Sequence, residues 1–192
     1  MTAPDADLIR RAGVGDQRAV AELISRHKHW LYRFIRRCIG DAEDAQDVLQ
    51  ESLVAAMLNL ARYDPERPFE IWLRRIALNK CRDRARRRAV RRAIGLEQRQ
   101  AWDADDIVDP APAADKVLQT AHTLRMLDQA IADLPRALRE SLVLTALESL
   151  SHKQAGDILG LSTKAVEVRV YRAKRLLAAR LDRGRLDDLL AD

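Results

Sequence analysis

Apolar residues recur at three- and four-residue intervals along most of the chain, and this spacing predicts helices almost throughout. Asp16 is a natural N-cap, and beyond it Val20, Leu23, Ile24, Leu31, Phe34, Ile35 and Cys38 form one stripe. Gly40 suits the left-handed residue that closes such a helix. Asp41 restarts the pattern, with Ala45, Val48, Leu49, Leu53, Met57 and Leu60 turned inward. The segment ARYDPERP (61–68) breaks it, because two prolines so close together cannot continue a helix. Phe69, Trp72, Leu73, Ile76 and Ala77 then open a third amphipathic helix.

From Gly95 to Asp115 the period is lost, prolines stand at 110 and 112, and acids dominate. That composition predicts a flexible linker. A helix resumes over Lys116 to Ala132, with Val117, Leu118, Leu124, Leu127 and Ile131 as its apolar positions. Pro135 fits the first turn of the next helix, which carries Leu138, Leu142 and Val143. The predicted fold is all-α: two small helical domains, 1–92 and 116–192, joined by a linker over 93–115.

The stretch SHKQAGDILGLSTKAVEVRVYRAKRLLAARL (151–181) has punctuation of its own. Ser151 and Gln154 make a capping box, a short helix ends at Gly160, and Ser162 caps a longer helix on Val166, Val170, Ala173 and Leu177. Short helix, glycine turn and longer basic helix together predict a helix-turn-helix, whose second helix enters the major groove of DNA. Thr163, Lys164, Glu167, Val168, Tyr171 and Arg172 project away from its buried stripe. Arg172 suits guanine or a phosphate, and Glu167 a cytosine amino group. Lys164, Arg169, Lys174 and Arg175 are phosphate candidates. A plain helical hairpin with a solvated basic face explains the charge but not the joint match of caps, glycine and spacing.

Charge changes the picture for the first domain. Over the full 192 residues the net charge is only +5, yet KCRDRARRRAVRR (80–92) has a single acid, Asp83. In helical projection Arg75, Asn79, Arg82 and Arg86 fall on one face, opposite the buried side of Trp72 and Ile76. Such a face suits phosphates, and its attraction is salt-sensitive. Tyr63 and Phe69 stand close by, and aromatics beside cations hold unstacked single-stranded bases. Opposite in sign, Asp44, Asp47, Gln50 and Glu51 recur at helical spacing and predict an exposed acidic ridge. A ridge of this kind is either a solvated face or a dock for a basic protein.

Other classes find little support. No P-loop, HExxH or catalytic carboxylate cluster is present, His27 and His29 lie on different helix faces, and neither enzyme nor metal nor cofactor is expected. Cys38 and Cys81 lack metal-ligand spacing and read as reduced, partly buried helix residues. No apolar run approaches a membrane span, so a cytoplasmic protein without membrane insertion is expected. A stand-alone helix-turn-helix regulator would use 151–181 but leave the acidic ridge and the 75–86 face without a role.

DAEDAQDVLQES, a proline-containing loop and FEIWLRRIALNKCRDRARR resemble region 2 of the bacterial sigma-70 family, in its small extracytoplasmic-function (ECF) form. LPRALRESLVLTALESLSHKQAGDILGLSTKAVEVRVYRAKRLL resembles region 4. The resemblance implies that Asp44, Asp47, Gln50 and Glu51 bind core RNA polymerase. Tyr63 and Asp64, in the 61–68 loop, would hold a flipped base of the −10 element, and Arg75, Asn79, Arg82 and Arg86 would contact and help melt it. Lys164, Glu167, Val168, Arg169, Tyr171, Arg172 and Arg175 would read the −35 element. The linker would thread toward the RNA exit path, and an anti-sigma factor would hold the protein in check. Two positions depart from the family pattern: Glu167 where a basic residue is frequent, and Gly156 in mid-helix, where glycine costs about 1 kcal/mol relative to alanine.

Overall fold

The computed structural model describes residues 3–94 and 126–190, and every regular element among them is helical. The chain divides into two units, Met1–Arg99 and Gln100–Asp192. In the first, α1 (Ala3–Gly13), α2 (Gln17–Ile39), α3 (Ala42–Leu58) and α4 (Phe69–Ala93) pack on one another, with a 3-10 turn at Leu60–Arg62.

The predicted punctuation appears as hydrogen bonds. The Asp16 carboxylate accepts from the Arg18 and Ala19 amides, and Gly40 closes α2 in the left-handed region at φ 91°. Asp41 caps α3 by accepting from the Asp44 amide. Leu23, Leu31, Phe34 and Ile35 of α2 meet Ala45, Val48 and Ala56 of α3 and Leu73, Ala77 and Leu78 of α4 in the core. Burying each large side chain contributes about 1.5–3 kcal/mol. Cys38 and Cys81 are buried free thiols.

One feature differs from the pattern reading. Helix α1 was not predicted, although Leu8, Ile9 and Ala12 fall on one face and are buried. Its short stripe becomes legible only against α2. Helix α4 continues to Ala93, so the whole basic run is helical. The rest of the predicted linker, and the predicted helix from Lys116 to residue 125, lie outside the described residues.

In the second unit, α5 occupies 126–132. Pro135 leads into α6 (Arg136–Leu142), which widens into a π-helical turn at Val143–Leu147. Then follow α7 (His152–Leu159) and α8 (Thr163–Leu190). Leu142, Val143, Leu144, Ala155, Ile158, Val166, Val170 and Ala173 form this unit's core, with α6 and α7 both packed on α8.

Candidate nucleic-acid and partner surfaces

The α7–α8 hinge is built by hydrogen bonds that the sequence specifies. The Ser151 amide donates to Gln154 Oε1 at 2.9 Å, and the Gln154 amide to Ser151 Oγ at 3.2 Å. Gly160 takes φ 71°, and Ser162 Oγ accepts from the Ala165 amide to start α8. The sequence did not reveal why Gly156 is glycine. A Cβ there would stand 2.6 Å from the Leu161 carbonyl oxygen, while the Leu161 amide donates to the Gly156 carbonyl at 3.0 Å. The turn folds back onto the helix so closely that any side chain at 156 obstructs it.

This hinge sets α8 with Val166, Val170, Ala173 and Leu177 inward. Lys164, Glu167, Val168, Tyr171, Arg172 and Arg175 are exposed, and Arg169 is half-buried at the flank. Tyr171 is 62% exposed, and the Arg175 guanidinium lies 5.9 Å from its ring centroid. Lys164 Nζ donates to Glu167 Oε2 at 2.9 Å, and this bond lowers the Glu167 pKa below the usual carboxylate value. The only carboxylate among the predicted −35 contacts therefore already has a cation beside it. Short apolar core, glycine hinge and polar outer face define a helix-turn-helix, the motif whose second helix commonly enters the major groove of DNA.

In the first unit Arg75, Asn79 and Arg86 are exposed and Arg82 is half-buried. Arg86 is ion-paired with Asp83 on the same helix. Tyr63 lies on the inner side of its loop. It is 8% exposed, packs edge-on against Phe69 and Trp72, and donates its hydroxyl to the Arg67 carbonyl. The ring braces the loop from inside. Asp64 remains exposed and accepts from the Glu66 amide at 3.1 Å, with Arg67 3.4 Å away.

The acidic ridge also changes. Gln50 and Asp47 are exposed and Glu51 is half-buried, but Asp44 is 6% exposed and points into α4. It accepts from Arg84 Nε at 2.7 Å and pairs with Arg88 at 2.6 Å. Arg84 also reaches Asp47 at 3.0 Å, and Arg87 reaches Glu51 at 3.5 Å. The hydrogen bond that Arg84 donates to Asp44 pushes the Arg84 pKa further up. Helix α4 thus has two sides: Arg75, Asn79 and Arg86 are exposed on one, with Arg82 half-buried among them, while Arg84, Arg87 and Arg88 hold α3 on the other. Sequence spacing could not reveal this, because the paired residues lie some 40 positions apart.

A buried polar cluster anchors the loop from behind. Trp30 Nε1 donates to His27 Nδ1 at 2.9 Å, which leaves the proton of neutral His27 on Nε2, 3.5 Å from Asp5 of α1. The Phe69 ring packs 5.1 Å from the His27 ring. Arg74 lies 4.4 Å above Trp30 and pairs with Glu70.

The described residues thus combine a helix-turn-helix in one unit with basic and acidic faces in the other. The model for sigma-70 region 2 matches residues 23–92, and that for sigma-70 region 4 matches 124–177. The RNA polymerase sigma factor CnrH of Cupriavidus metallidurans is 38% identical over 95% of this chain and 97% of its own. The ECF RNA polymerase sigma factor SigW of Bacillus subtilis is 30% identical, over 90% and 94%. The solved structure of CnrH in complex with the cytosolic domain of CnrY covers 93% of this chain and 97% of that one, at TM-score 0.65 and 36% identity. The sigma factor RpoE from Bartonella quintana, solved with the anti-sigma factor NepR, shares the fold at TM-score 0.67 and 20% identity, over 84% and 96%. The chain belongs to the sigma-70 family, in its ECF form: transcription-initiation factors that bring core RNA polymerase to promoter DNA.

No helix among the described residues is long and apolar enough to cross a membrane.

Proposed function

We propose that the exposed face of α8, from Lys164 through Glu167, Val168, Arg169, Tyr171 and Arg172 to Arg175, reads the −35 element. The carrying observation is the division of α8 itself: apolar residues at 166, 170, 173 and 177 fix it to the second unit, so the polar residues between them face a groove. Arg75, Asn79, Arg82 and Arg86 of α4, with the exposed Asp64 of the loop, engage the −10 element and help melt it. Tyr63, packed inside the loop, shapes this −10 surface. Asp47, Gln50 and Glu51 dock core polymerase, and Asp44 holds the docking helix against α4. The functional domains are region 2 over 1–92 and region 4 over 116–192, with 93–115 as linker.

The protein acts in the cytoplasm as a recognition and melting factor, without a bond-making step or cofactor of its own. An anti-sigma factor holds it until a signal arrives; the relative CnrH, solved with the cytosolic domain of CnrY, supports such a protein partner. Two modest DNA readers carried on one polymerase gain effective concentration only at the correct promoter spacing. In vitro transcription with purified core polymerase and genomic fragments tests the reading. Defined start sites that depend on the protein are expected; absence of core binding and of any start site would overturn it.

A further inference from the structure

The loop that leads into α4 hangs between two aromatic rings. Tyr63 stands at one end and Phe69 at the other, and they meet edge to face with ring centres 5.4 Å apart. Behind Phe69 lies the His27 ring of α2, 5.1 Å away and 5% exposed. The far side of that ring is polar. His27 Nδ1 accepts from Trp30 Nε1 at 2.9 Å, and Nε2 faces Asp5 of α1 at 3.5 Å. Imidazole has an acceptor nitrogen only when neutral, so the Trp30 bond fixes both the tautomer and the orientation of the ring. Trp30 is itself held under Arg74, which pairs with Glu70, the residue after Phe69.

We propose that His27 is a positioning residue for −10 recognition: through its bond to Trp30 and its contact with Phe69, it sets the floor on which the loop presents Asp64. The inference rests on the −10 reading of that loop. Only the neutral ring fits this role. Protonation places a hydrogen on Nδ1, two N–H donors then point at one another, and the Trp30 bond is lost. Burial is the main cause that keeps the ring neutral; Asp5 of α1 and Glu70 of α4 favour the cation, while Arg26 of α2 and Arg74 of α4 oppose it. Tyr63 of the loop, its pKa raised mainly by burial, stays uncharged over the same range. His27 therefore changes from acceptor to donor as pH falls through a value below the ordinary 6.5, and the loop then loses its floor.

The test uses holoenzyme assembled from the full chain and purified core polymerase, with a single-stranded −10 oligonucleotide and a −35 duplex as probes. Thermal melting of each variant verifies that it folds. His27→Leu leaves Trp30 Nε1 without its acceptor and is expected to weaken oligonucleotide binding about two- to ten-fold at roughly pH 8, the loss of one buried hydrogen bond. His27→Gln offers a side-chain carbonyl in place of Nδ1 and cannot take up a proton, so its affinity should stay within about two-fold of wild type. From roughly pH 8 to pH 5.5 the wild type should lose oligonucleotide affinity relative to His27→Gln, while the −35 duplex separates none of the variants. A folded His27→Leu factor that binds the oligonucleotide like wild type, or a His27→Gln factor that loses as much as His27→Leu, overturns the positioning role. Should His27→Leu fail to fold, parallel pH profiles for wild type and His27→Gln overturn it instead. Asp64→Ala and Arg75→Ala check the loop reading separately: if neither weakens oligonucleotide binding, that reading falls and the positioning role with it.

Discussion

Gly156→Ala is the perturbation that separates local propensity from tertiary geometry most cleanly. In an ordinary helix interior the change stabilises by about 1 kcal/mol, since alanine loses less backbone entropy. Here the new Cβ would lie 2.6 Å from the Leu161 carbonyl oxygen, against 3.4–4 Å for ordinary contact. That oxygen has little room to retreat. Its residue is tied back by the bond from the Leu161 amide to the Gly156 carbonyl, and Gly160 is already committed to its left-handed turn. Overpacking costs typically about 1–3 kcal/mol, and a backbone neighbour places this case in the upper half. After the propensity gain is deducted, the second unit should be destabilised by about 1–2 kcal/mol. Urea unfolding of the full chain followed by far-UV circular dichroism, fitted with one transition per unit, measures it. Affinity for a −35 duplex should fall as well, because the displaced turn re-aims α8. Gly13→Ala is the control: it ends α1 with nothing within 4 Å of the added carbon, and should be close to neutral. A Gly156→Ala protein as stable as the wild type, or stabler, would refute the packing argument.

Three further outcomes are expected. Arg172→Ala should weaken −35 duplex binding by about 1–3 kcal/mol and relax the base preference at one position; a uniform loss across sequences would mark it as a phosphate contact instead. Arg82→Ala and Arg86→Ala should each lower the slope of log affinity against log salt for promoter binding by the holoenzyme by about one, and an unchanged slope would remove them from the phosphate set. His27 should make the first unit acid-sensitive. Burial is the main cause holding its pKa below the ordinary 6.5; Asp5 and Glu70 pull it up, while Arg26 and Arg74 press it down. Because the unfolded chain takes up the proton more readily, the contribution is complete above the ordinary value and is lost as pH falls toward the depressed folded one. Urea midpoints over roughly pH 8 to pH 5 should drop for the wild type and stay flatter for His27→Gln, and identical profiles would exclude His27 as the cause.

The helices from α2 to α4, their caps and the helix-turn-helix were legible in the sequence because they rest on interactions within a few residues. Asp16, Asp41, Ser151 and Gly40 act on their own helix ends, and Val166, Val170 and Ala173 share a face by the helical period alone. The all-α class and the outward faces of α4 and α8 follow from the same periodicity. Tertiary structure decided what depends on distant partners. It turned Tyr63 inward to brace its loop, buried Asp44 under Arg84 and Arg88, and made Gly156 a steric requirement of the hinge. It also built the Asp5–His27 pair from two helices whose relation no local pattern records. The basic run over 80–92 shows the division most clearly: its composition marks it as a site for negative charge. Only the packing of α4 on α3 shows that Arg84, Arg87 and Arg88 already hold carboxylates of the same chain.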